Sequence, residues 1–222
     1  MNFSEYPVTI FLIVVNFIFS LIGFSNASFM DKTIMTPYLV KRKNQYYRMI
    51  TSGFLHADFI HLFFNMFTLY FFGRAIEYYF AKYGLGGQVS YIVLYFLSLV
   101  AADIPSYLKN KDNPHYHSLG ASGAVSAIVF ASLVFGPWNE IRLYGVISIS
   151  FTVYAILFIF YCINMGKRGN DNINHDAHLW GSIFGLIFTM LLIIALNPDL
   201  FNLVIKEISH PSLFGRPPIY LK

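Results

Sequence analysis

Hydrophobic residues are gathered in six long blocks along the chain, separated by shorter polar segments. The blocks cover residues 7–25, 57–80, 88–106, 120–136, 143–163 and 177–196. A membrane-spanning helix needs about 20 mostly apolar residues, and each block supplies or nearly supplies that length. The pattern therefore predicts an all-α, polytopic membrane protein with six transmembrane helices. No repeat or soluble second part interrupts the pattern, so we expect one domain over residues 1–222 with its helical core at 7–196.

The remaining segments also carry structural information. The first block lacks a preceding Lys/Arg region and is long for a signal peptide, so we expect it to be retained as the first helix. The connection 26–56 mixes aromatic and basic residues, which indicates a structured, partly inserted loop. Residues 197–222 are too broken by proline and charge to span a bilayer. We expect this tail to lie at the membrane surface.

The fourth block is short, and a polar segment leads directly into it at Gly120. A short helix with an irregular start predicts an N-terminus that lies below the membrane surface. Irregular backbone at that depth is tolerated only where it is buried in protein or lines a water-filled cavity.

Composition supports the membrane class and excludes others. Of the 222 residues, 56% are hydrophobic and only 12% are charged, far from the balance of a soluble domain. The net charge of +4 does not indicate a nucleic-acid partner, because the single basic cluster, Lys41-Arg42-Lys43, is too short for a binding stripe. The single cysteine, Cys162, excludes a disulfide within the chain.

Several polar residues interrupt the apolar blocks. Ser122 lies in Gly120-Ala121-Ser122-Gly123, His178 opens the sixth block, and His61 and Asn65 are four apart on one helical face. Each has a structural interpretation, since polar side chains join membrane helices and small residues let them pack closely. Gly181 and Gly185 are typical of such a packing face. His56, taken alone, is typical of a surface histidine.

Taken together, the same residues form a candidate catalytic set. Peptide hydrolysis needs a nucleophile, a base and donors for the developing oxyanion. Ser122 supplies a hydroxyl and His178 can accept its proton, while His61, Asn65 and the backbone N–H groups after Ser122 are candidate donors. No acidic third member is evident, because Asp176 is two residues before His178 and would point away from it on a helix.

The chain resembles the rhomboid intramembrane serine proteases. The matching elements run in order from about residue 45 to 190: Tyr47-Arg48, then His56, His61 and Asn65, Gly73-Arg74-x-x-Glu77, Gly120-Ala121-Ser122-Gly123, and Ala177-His178-x-x-Gly181-x-x-x-Gly185.

The resemblance implies a six-helix core around a water-accessible cavity. It assigns Ser122 as nucleophile, His178 as base, and His61, Asn65 and the Ser122 N–H as the oxyanion site. Gly120, Gly123, Gly181 and Gly185 would be structural. The implied substrates are transmembrane proteins in a lipid bilayer, cleaved in or near their membrane segments without a metal or other cofactor.

The resemblance also implies a multi-pass protein of the cell membrane, with a cytoplasmic N-terminus and an active site that opens to the outside. The distribution of basic residues between the loops mildly favours the opposite orientation.

Two positions depart from the family pattern. Tyr47 precedes Arg48 where the family often has tryptophan. Ser126 stands one turn after Ser122, where some members place an aromatic residue that packs against the base. We therefore expect His178 to be held differently, by packing against the glycine face of its own helix.

Two alternatives remain open at the level of sequence. One is a haem- or metal-binding membrane protein that uses His56, His61, His175 and His178 as ligands, since neutral imidazole binds both. The other is a catalytically silent rhomboid-like binding protein.

Overall fold

A computed structural model describes residues 5–143, 147–168 and 173–215 of the chain. These residues form ten α-helices and one antiparallel hairpin, in the order α1 (Pro7–Ser25), α2 (Ala27–Thr33), α3 (Pro37–Lys43), α4 (Arg48–Thr51), α5 (Phe59–Lys82), α6 (Gly87–Asn110), α7 (Ser122–Leu133), β1 (Glu140–Leu143), β2 (Ile147–Ser150), α8 (Phe151–Arg168), α9 (His175–Leu196) and α10 (Pro198–Ile208). A short 3-10 turn, Ser52–Phe54, follows α4.

Each predicted hydrophobic block overlaps one helix, and the six helices are α1, α5, α6, α7, α8 and α9. Among the described residues, four helices (α1, α5, α6 and α9) are long and apolar enough to cross a membrane, and α7 is a shorter apolar helix. The predicted class, a polytopic α-helical membrane protein, is therefore confirmed. The count of six spans stays a prediction.

The start of the fifth helix was predicted wrongly. Leu143 is the last residue of β1, Ile147–Ser150 form β2, and α8 begins only at Phe151. The second strand reads Ile-Ser-Ile-Ser, and this two-residue alternation is a strand pattern. Ser148 also donates a hydrogen bond to the Glu140 carboxylate across the hairpin, at 2.6 Å.

Helix α7 lies at the centre of the bundle and is packed by α5, α6 and α9. Its residues from Gly123 through Ser132 are all buried. Helix α9 approaches it through Gly181 and Gly185: a Cβ at Gly181 would overlap the backbone carbonyl of Gly123, and one at Gly185 would overlap that of Ala127. These glycines therefore set the spacing between the helix that starts with Ser122 and the helix that carries His178.

The connection between α1 and α5 is structured, as predicted, and its insertion into the membrane stays a prediction. The guanidinium of Arg48 is buried and donates hydrogen bonds to the carbonyl oxygens of Asp31 and Ile34, at 2.8 and 2.7 Å. Met35 then pairs through both backbone groups with Ser118, at 3.1 Å each. The connection thereby supports the segment that leads into α7.

A buried carboxylate joins α1 to α5. Glu77 accepts hydrogen bonds from the backbone N–H groups of Val8 and Thr9, both at 3.0 Å, and from the Thr9 hydroxyl at 2.8 Å. The first N–H groups of a helix have no partner within it, and a negative charge is favourable there. Gly73, one turn before Glu77, leaves room for the Tyr91 hydroxyl and for Thr9.

The C-terminal segment packs back onto the bundle. Asn197 caps α10 by accepting from the N–H of Leu200 at 3.0 Å and donates to the carbonyl of Tyr83 at 2.9 Å. Leu200 and Val204 are buried in the main core. The position of this segment at the membrane surface stays a prediction, and residues 216–222 lie outside the described part of the chain.

Candidate active site

A cavity of about 500 Å³ lies between α5, α7, α8 and the start of α9. The four sequence-predicted side chains, Ser122, His178, His61 and Asn65, all line it. The rest of its wall is mostly apolar, with Phe64, Val125, Val129, Phe130, Tyr154 and Phe158 among the lining residues. Three separate helices thus bring the candidate residues to one space, although their chemical roles stay predictions.

Ser122 is the first residue of α7. Two residues earlier, Gly120 has a φ of 126°, a conformation that favours glycine, and its N–H donates to the carbonyl of Ser52 at 3.0 Å. A Cβ at Gly120 would lie 2.9 Å from Cε1 of His61 and 3.7 Å from Oγ of Ser122. The His61 ring and the Ser122 hydroxyl therefore face the same point, and a side chain at Gly120 would push into it.

Gly123 is required by close packing on the other side of Ser122. A Cβ there would lie 2.6 Å from Cβ of Ala102 on α6 and 3.4 Å from the carbonyl oxygen of Ala177 on α9. Gly120 and Gly123 must therefore both lack a side chain, because a Cβ at each would approach a different neighbour too closely. Helix α7 is also only 12 residues long, or about 18 Å, against a hydrocarbon core of about 30 Å.

His61 is oriented by two contacts at the start of α5. Asp58 caps this helix and accepts from the backbone N–H of His61 at 2.7 Å. The ring nitrogen Nδ1 accepts a long hydrogen bond from the N–H of Ala57, at 3.5 Å. A neutral imidazole that accepts at Nδ1 carries its proton at Nε2, which lies on the side of Gly120 and Ser122. This tautomer makes His61 a hydrogen-bond donor toward the cavity.

Asn65 lies one turn further along α5. Its amide nitrogen donates to the backbone carbonyl of His61 at 3.0 Å, and this fixes the amide against the helix. An asparagine amide carries two N–H groups, so the second can donate to a ligand in the cavity.

His178 is placed by the cap of α9. The side-chain oxygen of Asn174 accepts from the N–H of Ala177 at 3.1 Å and from the hydroxyl of Ser106 at 3.0 Å. This cap fixes the start of α9 against α6, so that His178 in the first turn reaches the cavity. Asp176 faces away, as expected, and forms an ion pair with Lys109 at 3.5 Å.

The contact that holds the His178 ring differs from the expectation. The ring is stacked on Phe158 of α8, with centroids 6.2 Å apart and planes 26° apart. The glycine face of α9 is occupied by the backbone of α7, so it is not the surface that supports the imidazole.

Sequence reasoning misjudged His56 and missed two other residues of this region, Asn174 and Phe158. His56 is fully buried, so its interpretation as a surface histidine was wrong. Its Nδ1 lies 2.9 Å from the Ser20 hydroxyl, and its ring is 5.0 Å from that of His61. Asn174 was detectable as an N-cap residue directly before α9. Phe158 carried no distinctive signal, because an aromatic contact depends on which helices meet. For His56, a polar residue next to an apolar block was an available signal.

Fold and site together define a multi-pass helical membrane protein with a partly polar cavity between its helices. The family profile of the rhomboid domain matches residues 43–195, which is more than half of the chain and includes all four candidate residues. The chain belongs to the rhomboid family.

Curated relatives are distant in sequence. RHOMBOID-like protein 12, mitochondrial, of Arabidopsis thaliana is 28% identical over 83% of this chain and 58% of its own length. Rhomboid-like protein 11, chloroplastic, of the same plant is 29% identical over 74% of this chain and 59% of its own length. The Bacillus subtilis protein YdcA, provisionally named as a rhomboid protease, is 28% identical over 84% of this chain and 88% of its own length. The chain thus spans less than three fifths of the length of the two plant relatives.

Proposed function

We propose that this protein is an intramembrane serine endopeptidase that cleaves other membrane proteins in or near their transmembrane segments. The observation that carries the proposal is the convergence of Ser122, His178, His61 and Asn65 on one cavity. Membership of the rhomboid family supports the same activity. Polar groups within a membrane domain cost free energy, which also favours a functional role for the set.

The proposed first chemical step uses Ser122 as the nucleophile and His178 as the base, since both line the same cavity. The Ser122 hydroxyl oxygen attacks the carbonyl carbon of the scissile peptide bond, and His178 accepts the hydroxyl proton. The carbonyl π bond breaks, and its electron pair moves to the oxygen, which becomes an oxyanion. The oxyanion then re-forms the carbonyl as the C–N bond breaks, His178 gives its proton to the departing amine, and an acyl-enzyme on Ser122 remains.

The oxyanion is stabilised by donors on two sides of the cavity. The candidates are the backbone N–H of Ser122 at the start of α7, Nε2–H of His61, and the second amide N–H of Asn65. Removing one such donor typically lowers the rate about 10²–10³-fold. Water then attacks the acyl carbon while His178 takes its proton; the ester bond to Ser122 breaks, His178 returns the proton to the serine oxygen, and the carboxyl product leaves.

The proposal also covers the partners of the protein and its location. The partners are transmembrane protein substrates in a lipid bilayer. The nucleophile, the base and the hydrogen-bond donors for this hydrolysis all come from the chain, without a cofactor. The cell membrane stays the predicted location, although two relatives are named for mitochondria and chloroplasts.

The decisive test labels the purified protein with a serine-reactive fluorophosphonate. We expect the wild type to be labelled, Ser122→Ala not to be labelled, and His178→Ala to be labelled far more slowly. Ser126→Ala is the matched control, because Ser126 lines the same cavity one turn along α7 and should leave labelling intact.

Labelling that is equal in the wild type, Ser122→Ala and His178→Ala would refute the proposal. A wild type that is never labelled and never cleaves a transmembrane substrate in vesicles would favour the catalytically silent binding protein. A haem absorption band or bound haem in the purified protein would favour the haem protein.

A further inference from the structure

We propose that Cys162, His175 and His178 form an inhibitory zinc site that captures the base of the proposed protease. The inference rests on the proposed function and adds a regulatory ligand to the same site. Cys162 belongs to α8, whereas His175 and His178 lie in the first turn of α9. One donor atom from each of the three side chains lies within 4.8 Å of the other two.

The donor set suits zinc in chemical type. Thiolate and imidazole are the usual ligands of Zn²⁺, and sites with three protein ligands leave a fourth position for water or another group. Cys162 and His175 are buried, at 1% and 3% exposure, whereas His178 also lines the cavity. A bound ion would therefore be enclosed by protein on the side of Cys162 and His175, with its fourth position toward the cavity.

The distances require a small contraction. A tetrahedral zinc ion with bonds of about 2.0 Å to nitrogen and about 2.3 Å to sulfur holds these ligand atoms about 3.3–3.5 Å apart. Donor atoms that lie up to 4.8 Å apart must therefore move closer by up to about 1.3–1.5 Å. Rotation of the Cys162 and His175 side chains can supply that movement, because α8 and α9 already pack against each other.

Capture of His178 would stop the reaction whichever ring nitrogen binds the metal. A neutral imidazole has one unprotonated nitrogen, and its other nitrogen carries hydrogen. When the unprotonated nitrogen coordinates zinc, the remaining N–H cannot accept the proton of Ser122. The ion would also join α8 to α9 and hold the two helices in one arrangement.

Binding can be measured without any substrate. Purified, chelator-washed protein is titrated with Co²⁺ as a spectroscopic substitute for zinc. We expect one ion per chain and a thiolate-to-cobalt absorption band, which only Cys162 can supply because it is the single cysteine. The band should be absent in Cys162→Ser. Absorption without thiolate character, or no binding, would overturn the site.

Inhibition is measured as the rate of fluorophosphonate labelling at increasing Zn²⁺, relative to the metal-free rate of each variant. Cys162→Ser and His175→Ala should raise the half-inhibitory concentration at least about tenfold, a loss on the scale of disturbed ligand shells. The exposed His210 provides the control, and His210→Ala should keep the wild-type value. A chelator should restore labelling.

Equal inhibition of the wild type and Cys162→Ser, or zinc bound at Cys162 with unchanged labelling, would overturn the proposal. Failure of the proposed function gives a different result: metal-free wild type would not be labelled at all. In that case the cobalt band alone decides whether the site exists.

Discussion

Phe158 of α8 lies against the imidazole of His178 on α9, with ring centroids 6.2 Å apart and planes 26° apart. The position one turn after Ser122 is Ser126, which is too small to reach the base as an aromatic residue could. The ring that supports His178 therefore comes from a neighbouring helix. This arrangement makes the orientation of the base depend on where α8 lies.

We predict that Phe158→Ala lowers kcat about tenfold with little change in KM, because an imidazole that can rotate away from Ser122 spends less time in the reactive geometry. Ser126→Tyr in the same chain should restore part of the loss by placing a ring beside His178 from α7. Steady-state cleavage of a transmembrane substrate measures both effects.

Phe160→Ala is the control for this prediction, since Phe160 is on the same helix but largely exposed on the bundle surface, at 66%. It should leave kcat unchanged. A Phe158→Ala protein with wild-type kcat would show that the stacking does not position the base.

The sequence was sufficient to locate the six membrane-domain helices, apart from the start of α8, and to single out the four cavity residues, because both leave local signals. Apolar blocks of membrane length located the helices, and Ser122, His178, His61 and Asn65 were conspicuous as polar residues inside them. Phe158 carried no such signal, because phenylalanine is ordinary in a membrane helix and its role depends on the meeting of α8 and α9.

The sequence failed to indicate two other features for similar reasons: the hairpin before α8 and the cluster of Cys162 with two histidines. The hairpin before α8 was read as part of an apolar block, since isoleucine-rich strands and helices look alike over a few residues. Cys162, His175 and His178 come together only through the packing of α8 on α9, and the sequence separation of the cysteine from the histidines does not indicate a shared site.

Gly185→Ala should destabilise the protein, by about 1–3 kcal/mol, because the added methyl group would overlap the backbone of Ala127 and push α9 away from α7. Labelling of Ser122 should fall as well, since the same displacement moves His178. Thermal unfolding in detergent micelles measures the stability change.

Gly166→Ala provides the matched control on α8. A methyl group there would lie 3.5 Å from its nearest neighbour, an ordinary contact distance, and alanine favours helix over glycine by about 1 kcal/mol. We expect unchanged or slightly higher stability. A Gly185→Ala protein as stable as Gly166→Ala would contradict the close-packing argument.

Glu77→Gln should destabilise the junction of α1 and α5 by about 1–3 kcal/mol, because an amide replaces one accepting oxygen with a donor that faces backbone N–H groups. Thr9→Val removes the hydroxyl bond to Glu77 and the longer one to Tyr91 but keeps both backbone N–H bonds to the carboxylate, so it should cost less. Equal unfolding midpoints for the wild type and Glu77→Gln would show that the carboxylate does not stabilise this helix start.

His56 should make the stability of the protein depend on pH. Burial lowers the pKa of His56 from 6.5 to about 3; the neighbouring His61 lowers this pKa as well, and Asp58 raises it. Between these two values the unfolded chain binds a proton at His56 and the folded chain does not. The free energy of unfolding should therefore fall as pH decreases from about 6.5 toward 3, by up to about 1.4 kcal/mol per pH unit from this group.

His56→Gln isolates this contribution, because glutamine can still hydrogen-bond to Ser20 but does not titrate. We expect the variant to be less stable than the wild type at pH 7.5 and to lose less stability on acidification. Unfolding midpoints in detergent at pH 7.5, 6.5, 5.5 and 4.5 measure the two slopes. Parallel slopes would mean that His56 takes up its proton in the folded protein as readily as in the unfolded chain, and that its burial does not exclude the charged form.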